Sequence, residues 1–453
     1  MRSIRRIAVV AAAVLLLATA CEVDDDVDPV DPEEEPVDPD EPEPDEPEPE
    51  DPEALPDLSG ESLEVTAAWT GTEQERFEQV LSAFEQETGA EVTYSSHGDE
   101  PGAVLGPRIE GDDPPDVTLL AMPGVVESFH ADGALVPLDD EARSVVEEQF
   151  EQAWAELGTF DGELYGVYFK VANKSLMWFN TEVFEQVGIE PADTWEEMLE
   201  IGEQSAAFGI PPFSVAGADG WVLTDWFENV YLRTAGPDLY DQLNEREIPW
   251  TDDSVIEALE LLGDLWGDDT LIIDNPLEIS FPDSVARTFT DPPDAAMVFE
   301  GDFVAGVIEA ETPATVTQEA DLFDFPEIEG SGPAVVTAGD QAVLMVDSEA
   351  GHALMRYLAS DTAAEIWAAE GGFLSANQQV DLDIYPDEAT RRIAEALVET
   401  ETVRFDLSDM QPPEFGATPG QGMWQILQDF LGDPTDPQAT AERLEEEAEA
   451  AHG

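Results

Sequence analysis

Apolar residues along the chain fall into short runs and helical stripes that follow one another. Residues 63–69 form an apolar run that predicts a strand, and Phe77, Val80, Leu81 and Phe84 then recur at helical spacing until Gly89 stops the helix. Residues 92–94 and 117–121 predict the next strands, each followed by another helical stretch. Strand and helix in repeated alternation argue for an α/β fold with parallel sheets. Thr194-Trp-Glu-Glu197 is a capping box, opening a helix that carries Met198, Leu199 and Gly202. Trp178 lies within an apolar strand and is assigned to the core, and Asp116 after Pro115 starts a strand. The last third is mostly helical and ends in an acidic amphipathic segment from Pro437.

The first 58 residues follow neither pattern. A basic end containing Arg2, Arg5 and Arg6 precedes an apolar run at 7–17, too short to span a bilayer, and then Ala18-Thr19-Ala20-Cys21. This order predicts a secretory leader over 1–20. It resembles a bacterial lipoprotein signal, which implies lipidation of Cys21 and cleavage just before it; Ala18 stands where that family usually has Leu. Residues 22–57 hold 20 acidic residues and 10 prolines without one basic or aromatic side chain. Such a stretch buries no core. Like charges repel and proline favours polyproline II, so 21–58 is expected to be a disordered acidic tether reaching about 110 Å at about 3.1 Å per residue.

Composition narrows the function of the remaining body, which is long enough for two domains. The 105 acidic residues against 16 basic ones give a formal charge of −89, and only two of the basic residues are lysines, Lys170 and Lys174. A surface of this sign argues against binding nucleic acid or anionic membranes by a basic patch, and it fits either solubility in a saline exterior or a general acidic bias of the lineage. Cys21 is the only cysteine, which rules out intramolecular disulfides and thiolate clusters. His97, His130, His352 and His452 are scattered without metal-ligand spacing, so no metal or other cofactor is expected. Neither a serine nucleophile elbow nor a phosphate loop is present. Carboxylate pairs are so numerous that they neither support nor reject a glycoside hydrolase.

The informative positions are aromatic residues beside polar ones in loop-like contexts. Trp69-Thr-Gly-Thr-Glu73 lies where the first strand meets the first helix, a place where α/β sheets present ligands. Trp69 there is either a ligand contact or core, with Thr72 and Glu73 beside it. Asp219-Gly-Trp221 and Thr224-Asp225-Trp226 gather two indoles and carboxylates at a helix start. Sugars need this mixture, because their flat apolar faces stack on rings and their hydroxyls need oriented acceptors. For Trp226, helix packing is an equal reading.

Several motifs in order carry a wider likeness. Asp161-Gly-Glu-Leu-Tyr-Gly166 with Leu176-Met-Trp-Phe-Asn180, then Phe184-Glu-Gln-Val-Gly-Ile-Glu-Pro191 with Thr194-Trp-Glu-Glu-Met198, resemble extracellular solute-binding proteins of sugar ABC importers. Ala295-Ala-Met-Val-Phe-Glu-Gly301 and Gly371-Gly-Phe-Leu-Ser375 match two later landmarks. The stretch from Gly220 to Ala235, with Ile248-Pro-Trp-Thr-Asp252 and Phe169-Lys-Val-Ala-Asn-Lys-Ser175, is similar to the alpha-glucoside-binding branch.

This resemblance implies two α/β lobes that close on a ligand by a hinge. Crossings are expected near 169–174, 325–327 and 371–377, with 61–170 plus 327–372 in lobe 1 and 174–324 plus 375–450 in lobe 2. Trp69, Thr72 and Glu73 would then face Trp221, Asp225 and Glu300. Lys170 is a donor from the hinge or a structural ion pair. Glu300 and Asp302, flanking Gly301 at a strand-to-helix turn, accept sugar hydroxyls or cap the helix. Asp340 and Phe373 complete the candidates. The implied protein is a lipid-anchored monomer that captures an oligosaccharide or alpha-glucoside, does no bond chemistry, and docks on a permease driven by a separate ATPase. A secreted carbohydrate-active hydrolase, and a receptor of this fold for a polyamine or another solute, are the alternatives.

Overall fold

The structure is a computed structural model that describes residues 55–98, 101–400 and 402–453. The leader, Cys21 and most of the expected tether lie outside the described residues. Leu55 already packs against the core, inside the expected tether, and at Leu58 the side chain is 2% exposed and the N–H donates to Thr88 O at 2.7 Å.

Twelve strands follow in order among the described residues: β1 (Ser62–Ala67), β2 (Glu91–Ser96), β3 (Val117–Leu120), β4 (Thr159–Phe160), β5 (Glu163–Leu164), β6 (Gly166–Asn173), β7 (Leu176–Asn180), β8 (Phe213–Ser214), β9 (Met297–Phe299), β10 (Ala320–Asp324), β11 (Val335–Leu344) and β12 (Val403–Phe405). A six-stranded sheet runs β12-β11-β3-β1-β2, with β6 also on β11, and a four-stranded sheet runs β10-β7-β9-β8. The expected strand 63–69 stops at Ala67, because Gly71, at φ 58°, already begins the helix Gly71–Thr88.

Both sheets are mixed, which corrects the expectation of parallel ones. β1 runs parallel to β2 and β3, whereas β11 is antiparallel to β3 and β6. β7 is antiparallel to both β9 and β10, and β8 is parallel to β9. The cause is the path of the chain, which changes sheets and re-enters in the opposite sense. β6 lies in the first sheet and β7 in the second, with 174–175 between them; β10 and β11 make the return across 325–334. The third expected change, near 371–377, leads into no strand of the second sheet among the described residues. β12 pairs with the start of β11, so the chain is on the first sheet at 403–405, while Ile393 and Ala394 pack in a core that holds residues of both sheets and Arg392 donates to Asp321 on β10.

Two large cores result. One includes Val65, Phe77, Phe169 and Trp367; the other includes Trp226, Trp250, Phe299 and Leu427. Strand β7 serves both by its period of two, sending Trp178 into the first and Met177 and Phe179 into the second. Trp178 is fully buried, and its Nε1 donates to Gly301 O at 3.1 Å. Thr194 caps the helix Trp195–Phe208 by accepting from Glu197 N at 3.3 Å, while Glu197 reaches one residue further back than a standard box, to Asp193 N at 3.2 Å.

Candidate ligand-binding site

Side chains alternate along β6, so Tyr168 and Lys170 share one face, and Lys174 follows just past the strand's end. The opposite face, with Val167, Phe169 and Val171, is core. Lys170 Nζ donates to Glu73 Oε1 at 2.6 Å and sits 5.7 Å and 5.3 Å from the ring centres of Trp69 and Trp367. Desolvation works against its charge, but Glu73, Asp340 and Asp302 outweigh that and hold its pKa above the ordinary value. Asp340 pairs with Lys170 in the β11–β6 register beside a bulge. Burial pushes Asp302 up to about 6 despite Lys170, and its Oδ1 accepts from Asn173 N at 2.8 Å.

Lys174 centres a second cluster. Its Nζ lies 3.1 Å from Asp225 Oδ2, 2.6 Å from Asp406 Oδ2 and 4.0 Å from Asp409 Oδ2, and 5.5 Å from the Trp221 ring. Trp221 and Asp225 stand one turn apart on the helix Gly220–Ala235 and so face the same way. Burial raises Asp225 well above the carboxylate range and brings Glu300 to about 8, with Lys174 pulling both down. Burial also opposes the charge on Asp406, yet Lys174 and neighbouring hydrogen bonds hold it at about 2. The cluster therefore keeps an ammonium, a carboxylate and carboxyl groups side by side. Glu300 Oε1 and Asp302 Oδ2 have no hydrogen-bond partner among the described residues, so each retains an unused polar atom.

The strand-to-helix turn at 300–302 links the clusters: Glu300 acts on Lys174 and Asp302 on Lys170. Rather than capping the helix Val304–Glu311, Asp302 holds β6. The predicted residues thus gather around two lysines. Three sit apart from open space or from the charges. Trp69 is 5% exposed and edge-on to Phe77 and Trp367 at 4.8 Å each, a core position beneath Lys170. Phe373 is fully buried against Phe169 and Trp367. Thr72 is exposed in the first turn of its helix. Trp226 packs on Phe299 at 4.5 Å, which settles it as core.

Sequence reasoning did not single out Lys174, Asp406, Asp409, Phe281 and Phe303, which the structure gathers beside the predicted Trp221 and Asp225. Phe281 and Phe303 lie 5.2 Å and 6.0 Å from Trp221 and extend its aromatic wall. The rarity of lysine was a usable signal; Asp406 and Asp409 had none among so many acids. Nearby, Gly124 N donates to Asp409 O at 3.0 Å, joining the helix Pro123–Ala131 to this segment. A cavity of about 490 Å³ opens there, lined by Met122, Phe129, Pro413 and Thr418 among others, a size suited to a small molecule.

Residues 68–365 match the family model described as bacterial extracellular solute-binding protein. The osmoprotective compounds-binding protein of Synechocystis sp. is 34% identical over 398 residues, covering 85% of this chain and 93% of that protein. The alpha-glucosides-binding periplasmic protein of Rhizobium meliloti is 32% identical, covering 83% and 84%. A maltose-bound receptor of T. maritima matches with a TM-score of 0.70 at 17% identity, over 86% of this chain and 99% of that one. A bacterial solute receptor described as preferring β-D-galactopyranose matches at 0.77 and 18%, over 86% and 99%. These two establish the two-lobed receptor fold. The chain belongs to the bacterial extracellular solute-binding protein family.

Proposed function

We propose that this protein is an extracellular receptor that captures a neutral, hydroxyl-rich solute, an alpha-glucoside or small oligosaccharide, and hands it to an ABC importer permease. The observation that carries the reading is the filling of both aromatic–carboxylate clusters by the chain's own ammonium groups, Lys170 and Lys174. Rings and carboxylates of this kind also suit cationic solutes. With the lysines in place, they favour hydroxyls that take donors from the ammoniums and acceptors from the carboxylates. The relative named for binding alpha-glucosides supports the same class. Lobe 1 comprises 61–170 with 327–405, and lobe 2 comprises 174–324 with the residues after 405; the ligand sits between Lys170, Lys174, Trp221 and Glu300. Cys21 carries the lipid that holds the receptor at the membrane, and the receptor acts as a monomer. A palmitate label that persists in Cys21→Ser would remove that anchor.

A thermal-shift panel of maltose, trehalose, sucrose, maltotriose and spermidine tests the reading. A bound solute at a hundred times its Kd stabilises the fold by about 2.7 kcal/mol. At least one neutral sugar is expected to raise the melting temperature without being consumed. Stabilisation by spermidine alone, or chromatography showing shortened maltotriose, overturns it.

A further inference from the structure

The helix Gly220–Ala235 is buried nearly all round, yet it carries Asp225, Glu228, Asn229 and Arg233 in one stripe at helical spacing. Each of these side chains is committed to a segment that passes between the sheets. Asn229 Nδ2 donates to Lys174 O at 2.9 Å, and its Oδ1 accepts from Ser175 Oγ at 2.6 Å, both on the β6–β7 passage. Arg233 donates to Phe325 O at 3.2 Å and Ala334 O at 2.6 Å, the two ends of the β10–β11 passage. Glu228 accepts from Leu407 N and Ser408 N at 2.9 Å each, just after β12. Ser175 Oγ also accepts from Val336 N at 2.8 Å, tying the first two passages together.

We infer that this polar stripe is the axle on which the lobes turn, with Glu228 and Arg233 as positioning residues that set lobe orientation without touching ligand. The helix packs in the second core, so all three passages are fixed to the second lobe at their near ends. Bending is therefore confined to the first-lobe side, around Asn173, Thr337 and Phe405, which pair with one another in the first sheet. Trp221 and Asp225 lie on the same rod, so ligand contacts and the axle are mechanically one element.

The inference rests on the closing-receptor reading, and its test does not need the right sugar. In full-length chain with Cys21→Ser, spin labels are placed at Val104→Cys and Phe208→Cys, which are 43% and 54% exposed on the two lobes. Glu228→Gln leaves one of two backbone N–H groups without an acceptor, and Arg233→Lys replaces a fork by a single point. Each is expected to shift the ligand-free distance distribution or broaden it about twofold, as a loosened hinge does. Trp221→Ala should leave that distribution unchanged. For any solute that binds, both axle variants should weaken all ligands by a common factor of about ten, whereas Trp221→Ala should lose sugar binding. If Glu228→Gln does not fold, Arg233→Lys and Ser175→Ala carry the same readout. Axle variants with unaltered distributions, or with altered ligand ranking, overturn the inference.

Discussion

Lys170 and Lys174 each neutralise part of a carboxylate cluster that burial would otherwise force to take up protons, and several groups, Glu300 among them, still have raised pKa values. Glu300 keeps its proton up to about pH 8 in the folded protein, against 4.5 ordinarily, because burial outweighs Lys174. The unfolded chain releases that proton near 4.5, so between about 4.5 and about 8 the folded state binds more protons. Stability therefore falls as pH rises through this window and levels off above it. Melting temperatures of Glu300→Gln should lose that part of the slope; an identical slope would show that another group carries it. Trp221 and Trp226, five residues apart, separate binding from folding. Trp226→Ala should cost about 3–5 kcal/mol in denaturant melts by leaving a cavity. Trp221→Ala should melt near the parent and lose the stabilisation by sugar.

At the level of elements, close approach of backbones decides what a substitution does. A Cβ on Gly124 would stand 2.1 Å from Gln411 O, so only glycine lets the helix Pro123–Ala131 donate to Asp409 O. Gly124→Ala is expected to hold the cleft apart and weaken ligand binding by roughly 1–3 kcal/mol, the scale of a lost buried hydrogen bond; calorimetric titration with the ligand found by the thermal screen checks this, and unchanged affinity would refute it. Much of the element order was legible: periodicity gave the helix ending at Gly89, and Thr194 announced its helix. Sheet polarity was not, because alternation of strand and helix says nothing about a chain that changes sheets. Nor was β12, three residues of ordinary composition whose place is set by the open start of β11. Glu300 and Asp302 were singled out by turn context and Lys170 by its expected place at the hinge, whereas Asp406 and Asp409 become special only through Lys174, 232 residues away in the case of Asp406.

For the whole molecule, a formal charge of −89 is a standing repulsion that opposes compactness. Salt shortens its range from about 8 Å at 0.15 M to about 3 Å at 1 M. Scanning calorimetry should show the melting temperature rising by several degrees across that interval, and a flat or falling trend would disprove a fold suited to saline surroundings. The same composition leaves a practical consequence of the two buried lysines. Reductive methylation with labelled formaldehyde under unfolding conditions, followed by refolding, would mark two ε-amino groups in the entire chain, one in each cluster. Their two resonances would watch both halves of the cleft at once, with no other side-chain amine to crowd the spectrum.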